Sequence, residues 1–192
     1  MTGPLLSPPP KRRPMTVADL GPVMVLEMQA YSHPWSHGNF VDSLAAGHLC
    51  EVLECDELAG YFVAMVGVDE LHLLNLTMGR RWQHQGHGSA LLQAVLAHAR
   101  SRRLASVWLE VRASNVRARA LYARRGFNEV GLRRGYYPAA GGREDAVVMS
   151  RVLEPAAPAE PAVPIDIDER SPRLEHAGPD PARPSGGAHA LE

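Results

Sequence analysis

The sequence has few cysteines and no excess of charge of either sign. Only Cys50 and Cys55 occur in 192 residues, and 20 basic side chains are balanced by 21 acidic ones. Two thiols without further metal-spaced cysteines indicate reduced cysteines in a cytoplasmic protein rather than a disulfide framework or a zinc site. The balanced charge provides no overall field that would favour nucleic acid or a membrane as the main partner.

Long apolar runs and clustered metal ligands are also missing. No stretch reaches the about 18 uninterrupted apolar residues of a membrane span. The basic cluster at 11–13 follows the short apolar piece of the first residues instead of preceding it, which is the wrong order for a secretory signal. The pairs His33/His37 and His84/His87 lack acidic or cysteine companions, so we expect no metal site.

The composition changes at Glu154, which marks a domain boundary. From there to the end prolines recur and no aromatic residue occurs, so this segment cannot bury enough apolar surface to offset the entropy of ordering it. The length of the rest suits one domain. We expect a disordered extension at 1–13, a folded domain at 14–153 and a disordered tail at 154–192, with a partner-binding arm around 163–168 as the alternative for the tail.

The pattern within the domain is mixed α/β. Caps and turns place the helix boundaries: Asp19 and Ser36 begin the first two helices, Gly47 ends the second, and Ser114 begins the last. The predicted elements are a strand at 15–18, helices at 19–31 and 36–47, a hairpin of 48–54 and 58–66, a strand at 70–78, a helix at 90–100, a strand at 104–111, a helix at 114–126, and a closing pair of strands at 127–136 and 146–153.

The most informative segment is the run from Trp82 to Ser89, which lies between an apolar strand and a helix. Gly86 and Gly88 allow a tight turn and let an anion approach the main chain. The positive N-terminal end of the next helix adds to that attraction. No Gly-Lys-Ser/Thr follows, and Leu91 stands where a dinucleotide-binding motif has its third glycine. The run therefore predicts a site for a pyrophosphate of another cofactor class, with an ordinary surface turn as the alternative.

Downstream blocks identify that class. A strand with a single glutamate, Glu110, ends before Ser114-Asn115, and the next helix contains Tyr122 and closes at Gly126-Phe127. With the glycine loop, this order resembles the GNAT superfamily of acetyl-CoA-dependent N-acetyltransferases. Within this superfamily, three blocks resemble the bacterial family that acetylates the N-terminal alanine of a small-subunit ribosomal protein. The blocks are 109–115, 136–138 and 142–146.

The resemblance covers residues 14–153 and implies a fold and a cosubstrate. The implied fold is the GNAT fold, a mixed central sheet of six to seven strands flanked by four helices. The implied cosubstrate is acetyl-CoA, without a metal. Three groups of residues would bind it: the main chain of Leu76, Thr77 and Met78 at a bulge, where free amides polarise the acetyl carbonyl; the loop residues His84, Gln85, Gly86, His87, Gly88 and Ser89; and Asn115.

The resemblance also implies catalytic roles. Glu110 matches the glutamate that takes the proton of the amine, and Tyr122 matches the tyrosine that donates to the sulfur of coenzyme A. A peptide α-amino group with a pKa of about 7.7–8.0 is partly neutral at pH 7, so a base of moderate strength suffices. Other interpretations stay open: a surface glutamate, a core tyrosine, and a helix cap at Asn115.

Four aromatic residues flank the groove that admits the peptide N-terminus in the resembled family: Tyr31, Trp35, Tyr136 and Tyr137. Such residues offer contact area with a polar handle, although core packing explains Trp35 equally well. The expected partners are acetyl-CoA and the N-terminus of a ribosomal protein or similar peptide, with no direct nucleic acid and no membrane. The alternatives are acetylation of a small-molecule amine and a non-catalytic acyl-CoA-binding module.

Overall fold

The computed structural model describes residues 9–154. The described chain forms one sheet of seven strands with four α-helices. In chain order the elements are β1 (Lys11–Pro14), α1 (Leu20–Ala30), α2 (His37–Ala45), β2 (Leu49–Glu54), β3 (Leu58–Val66), β4 (Glu70–Met78), α3 (His87–Ser101), β5 (Ser106–Arg112), α4 (Val116–Arg124), β6 (Asn128–Ala139) and β7 (Gly142–Val152).

The sheet opens between its two central strands. The spatial order is β1-β2-β3-β4-β5-β7-β6, and β4 and β5 are its parallel neighbours. Their pairing runs from Glu70 opposite Ser106 to Leu73 opposite Leu109 and does not continue. Beyond that point the second half of β4 and the end of β5 no longer bond to each other. The gap between them is the feature that positions the site.

A β-bulge at Leu74 accompanies this separation. Leu73 pairs with Ala64 and Asn75 pairs with Val63, so Leu74 is the extra residue. Because side chains alternate along a strand, one inserted residue exchanges the two faces. Asn75 and Thr77 are therefore buried on the α1 side, while the apolar residues beyond the bulge contact the cluster beneath α3.

Two apolar clusters cover the two faces of the sheet. Beneath α3, the residues Leu91, Leu92, Val95 and Leu96 are at most 2% exposed, at the spacing that places them on one helix face. Beneath α1 and α2, a second cluster is built around Val23, Phe40 and Tyr61. Strand β3 contributes to both clusters, which explains its continuous apolar run.

The predicted fold class is confirmed, because the structure has a mixed sheet of seven strands and four helices. The strand predicted at 70–78 has the observed bounds, and Ser36 caps α2 by accepting a hydrogen bond from the N–H of Asn39. Residues 1–8 and 155–192, which include nearly all of the predicted tail, lie outside the described residues.

Several predicted boundaries were wrong. The first strand lies at Lys11–Pro14 rather than 15–18. Arg13 bonds to Asp19 and Glu54, and these bonds hold a basic segment at the edge of the sheet. The folded part of the chain therefore begins before residue 14. Helix α3 begins three residues early, at His87, after a left-handed Gly86 with φ 86°. The last helix is capped by Asn115 and not by Ser114, and β7 begins at Gly142 rather than at 146.

Candidate active site

Main-chain groups of β4 line the gap. The N–H of Gly79 donates to the carbonyl of Ala59 in β3 at 2.9 Å. In an antiparallel ladder every second residue of a strand bonds to the same neighbouring strand. Thr77 therefore bonds to β3, whereas Leu76 and Met78 direct their amides into the gap. Their carbonyls confirm this direction, because that of Met78 accepts from Gln83 Nε2 at 3.0 Å and that of Leu76 lies 3.5 Å from Tyr31 Oη.

The predicted position of the bulge was wrong. It lies at Leu74 and not within 76–78, because its place is set by the pairing of β4 with β3, which the sequence of β4 alone does not reveal. Leu76 and Met78 keep amides that face the gap. The amide of Thr77 does not, and its hydroxyl is buried between Asn75 and Tyr31 instead.

A cavity of about 760 Å³ extends from this gap to the start of α3. The first intrahelical bond of α3 joins the N–H of Ala90 to the carbonyl of Gly86, so the amides of His87, Gly88 and Ser89 have no partner within the helix. Unpaired amides at a helix N-terminus are suited to bind an anion. No heavy atom lies within 4 Å of a Cβ built on Gly86, so a ligand has open space there.

The predicted loop residues divide into two groups. His84, Gly86, Gly88, Ser89 and Asn115 line the cavity. The side chain of Gln85 instead donates to the carbonyl of Arg81 at 2.8 Å, and the ring of His87 packs against Trp82 at 6.2 Å.

Two of the lining residues have further structural roles. The Ser89 hydroxyl accepts a hydrogen bond from Arg125. Asn115 accepts from the N–H of Ala118 at 3.0 Å, so it caps α4 and lines the cavity at once.

Sequence reasoning missed several cavity residues. Gln83 joins the carbonyl of Met78 to the guanidinium of Arg117, which lies 2.9 Å from Gln83 Oε1. Arg117 and Arg124, which were also missed, bring positive charge to the cavity together with Arg80, whose contact with the phosphates or with solvent the sequence left open. The available signal was the spacing of Arg117 and Arg124, which lie two turns apart on one face of α4.

A second cavity, of about 280 Å³, lies on the other side of the gap. Glu110, Tyr122, Tyr31, Trp35 and Tyr137 all line it. The two cavities share four lining residues, which are Tyr31, Leu76, Asn115 and Ala118. A molecule in each cavity would therefore meet its neighbour at the gap. We call the larger one the cofactor cavity and the smaller one the acceptor cavity.

Glu110 lies where β5 loses its pairing with β4. Its side chain is 29% exposed, and Oε1 forms an ion pair with Arg133, 3.1 Å from Nε. Burial raises the pKa of Tyr136, and the negative charge of Glu110 raises it further. Because β5 lies between β4 and β7, Glu110 is not an edge-strand residue.

Tyr122 is 8% exposed and packs on Phe127 with 5.9 Å between ring centroids. Burial raises its pKa well above the ordinary value near 10. Within residues 9–154 its hydroxyl has no hydrogen-bond partner. Tyr122 lines the acceptor cavity, and its buried phenol keeps its proton.

The four predicted aromatic residues do not all reach the cavity. Tyr31, Trp35 and Tyr137 line it, whereas Tyr136 does not. Tyr136 packs edge-on against Tyr137, with 5.0 Å between ring centroids, and the charge of Glu110 acts on its hydroxyl. A break in the β6–β7 register between Arg133 and Tyr137 places these side chains over the end of β5.

Comparison with known proteins agrees with this geometry. Residues 21–127 match the acetyltransferase (GNAT) family. The chain belongs to this family. It is 37% identical over 137 residues to the [ribosomal protein bS18]-alanine N-acetyltransferase of Escherichia coli K12, covering 71% of this chain and 93% of that protein. A protein of the same name from Haemophilus influenzae is 37% identical over 130 residues, covering 67% and 88%.

Solved GNAT structures match the fold. The crystal structure of the E. coli ribosomal-protein-S18-alanine N-acetyltransferase superposes with a TM-score of 0.73 at 35% identity, covering 78% of this chain and 97% of that one. The PaiA N-acetyltransferase of Thermoplasma acidophilum, solved in complex with coenzyme A, has a TM-score of 0.62 at 15% identity, covering 76% and 99%. The second likeness shows the fold alone.

As a GNAT acetyltransferase, the protein uses acetyl-CoA as its acetyl donor. The residues present suit that molecule, since unpaired amides and three arginines surround the cofactor cavity. In the part of the chain that the structure describes, no helix is long and apolar enough to cross a membrane. The same part holds no group of three or more His, Cys, Asp or Glu placed to bind a metal ion.

Proposed function

We propose that this GNAT enzyme acetylates a protein N-terminal α-amino group, and that its substrate is the N-terminal alanine of ribosomal protein bS18. The names of its relatives support the substrate. The observation that carries the reaction is the meeting of two cavities at one gap, with Glu110 and Tyr122 on the acceptor side. We place the activity in the cytoplasm, consistent with the free thiols of Cys50 and Cys55.

In this proposal the cofactor cavity holds acetyl-CoA by its diphosphate and its thioester. The amides at the start of α3 and the guanidinium groups of Arg80, Arg117 and Arg124 bind the phosphates. The amides of Leu76 and Met78 donate to the thioester carbonyl. Donors fixed by a sheet need no reorganisation as negative charge develops on that oxygen, so they stabilise the transition state.

Glu110 removes the proton of the attacking amine, directly or through a water molecule. Glu110 lines the acceptor cavity beside the gap, and its carboxylate forms an ion pair with Arg133. An α-amino group with a pKa of about 7.7–8.0 needs only a modest base at neutral pH. A carboxylate therefore suffices.

Tyr122 donates to the departing sulfur of coenzyme A. A thiol has a pKa of about 8.5, so the thiolate needs one proton from a weak acid. The buried phenol retains its proton up to high pH, because burial raises its pKa. Tyr122 lines the acceptor cavity, and its hydroxyl has no partner among the described residues.

The acceptor walls suit an extended peptide. Trp35 and Tyr137 give rigid apolar contact, and the guanidinium of Arg112 lies 4.5 Å above the Tyr137 ring. Arg112 also donates to the carbonyl of Pro138 at 3.0 Å and to Glu144 at 3.0 Å, which fixes the end of β6 that carries Tyr137. The entrance is therefore a formed groove.

The test is incubation with acetyl-CoA and a hexapeptide that copies the start of bS18, followed by mass spectrometry. We expect one acetyl group on the α-amine. The matched control is the same peptide with its α-amine already blocked, which should stay unmodified. Absence of turnover of the free peptide, together with rapid turnover of a polyamine or aminoglycoside, would instead identify a small-molecule acetyltransferase.

A further inference from the structure

An acidic side chain that the proposed reaction does not use is buried beside the acceptor cavity. Glu27 of α1 is 1% exposed and lines this cavity. Its oxygens accept from the N–H of Trp35 at 2.8 Å, from the hydroxyl of Tyr61, and from Asn75 Nδ2 at 3.4 Å. Acidic residues are almost never fully buried without partners, and here the three donors are all uncharged groups.

The carboxylate fixes the direction of the next hydrogen bonds. The oxygens of Glu27 accept from the NH₂ group of Asn75, which leaves Asn75 Oδ1 directed towards Thr77. The Thr77 hydroxyl donates its single proton to that oxygen at 2.9 Å. Towards Tyr31, whose hydroxyl lies 2.9 Å away, Thr77 can then only accept. The proton of Tyr31 is thus directed to Thr77, and the lone pairs of the phenol oxygen are left free.

Tyr31 lies where the two cavities meet. It lines both of them, and its hydroxyl is 3.5 Å from the carbonyl oxygen of Leu76, beside an amide that faces the gap. In the proposed reaction the amine nitrogen must come within about 3–3.5 Å of the acetyl carbon at this gap. An acceptor oxygen at this position bonds to an N–H of the amine and so turns the nitrogen lone pair towards the acetyl group.

We propose that Tyr31 orients the acceptor amine by accepting one of its N–H bonds, and that Glu27 is a positioning residue that imposes this role through Asn75 and Thr77. The inference rests on the proposed function for the place of the acetyl group. It does not depend on which amine is the natural substrate, because every primary amine presents the same N–H groups.

A double-mutant cycle tests the link between the two residues. Tyr31→Phe keeps the ring and removes the oxygen, and we expect kcat to fall about 10-fold. Glu27→Gln keeps the shape of the side chain, but an amide can both donate and accept. The hydrogen bonds through Asn75 and Thr77 to Tyr31 can then reverse their direction, and kcat should fall about 5-fold. In both variants KM for acetyl-CoA and the melting temperature should stay near wild type.

The double variant decides between a linked and an independent role. Because Glu27 acts through Tyr31, Glu27→Gln should cause no further loss in the Tyr31→Phe background. Glu70→Gln, at the far end of β4, is the matched control; its side chain bonds to His72 at 2.7 Å, and its kinetics should equal wild type. Additive losses, or an unchanged kcat in Tyr31→Phe, would overturn the proposal.

A second pair of variants covers the case in which Glu27→Gln does not fold. Thr77→Val breaks the same chain and should match Tyr31→Phe, whereas Thr77→Ser retains the hydroxyl and should restore kcat. Equal kcat in the two Thr77 variants would contradict the inference. If the wild type does not acetylate the alanine peptide, that result counts against the proposed function alone. The kcat of each variant relative to wild type is then measured with an amine that the wild type does acetylate.

Discussion

At the scale of single residues, Tyr122 shows how one side chain serves both packing and chemistry. Its ring belongs to the cluster beneath α3, yet the residue also lines the acceptor cavity and its hydroxyl has no partner among residues 9–154. Burial, which raises its pKa, also keeps the phenol protonated. The two interpretations of this tyrosine, as core residue and as proton donor, are therefore compatible.

Tyr122→Phe should separate these roles. Phenylalanine keeps the packing against Phe127 but removes the proton donor, so we expect kcat to fall about 100-fold with little change in melting temperature. The dissociation constant of acetyl-CoA, measured by calorimetry, should stay within about twofold of wild type, because the cofactor cavity is unaltered. Wild-type kcat in this variant would exclude Tyr122 as the acid.

The candidate catalytic pair was predictable from sequence because Glu110 and Tyr122 occupy fixed places in local blocks. Gln83, Arg117 and Glu27 were not predictable in this way. Their surroundings are made by partners distant in sequence, such as Tyr61 for Glu27 and Gln83 for Arg117. Contacts of this kind follow from the packing of helices on the sheet, which the sequence pattern does not specify.

At the scale of elements, strand β4 was predictable and its bulge was not. Apolar alternation fixed its bounds, whereas the extra residue at Leu74 depends on the register against β3. The glycine loop shows the same division. Its place before α3 followed from the two glycines, but the helix start at His87 depends on the left-handed backbone of Gly86.

Gly86→Val should weaken acetyl-CoA binding, with a several-fold rise in KM. The valine is strained at φ 86° and adds bulk beside the anion site. Gly141→Val is the matched control, because Gly141 has a φ of 89° and also meets nothing within 4 Å, but lies in the β6–β7 turn. We expect each to lose about 1–2 kcal/mol of stability, and only Gly86→Val to change KM. Equal KM values for acetyl-CoA in the two variants would show that the glycine loop does not bind the cofactor.

At the scale of the whole molecule, an ion pair joins the edge strand β1 to the start of α1. Arg13 donates to both oxygens of Asp19, at 2.8 and 2.7 Å, and Thr16 donates to Asp19 as well. The hydrogen bonds from Arg13 hold the pKa of Asp19 well below its ordinary value, and those from Thr16 contribute a smaller effect in the same direction. A carboxyl with a lowered pKa stabilises the fold above its unfolded pKa, and this contribution is lost as the pH falls towards the folded pKa.

Asp19→Asn should therefore destabilise the protein at neutral pH and matter less in acid. We expect a loss of about 1–2 kcal/mol in the free energy of unfolding at pH 7, measured by urea titration. The difference from wild type should persist down to about pH 4 and shrink below it, since the unfolded pKa is about 3.9. A difference that does not vary with pH would show that shape, and not charge, makes Asp19 stabilising.

The most direct measurement is a crystal structure of the protein with acetyl-CoA. The account predicts that the diphosphate lies within about 2.7–3.2 Å of amide nitrogens in the first turn of α3, and that the thioester carbonyl accepts from Leu76 or Met78 between β4 and β5. A ligand bound elsewhere, with the gap empty, would contradict it.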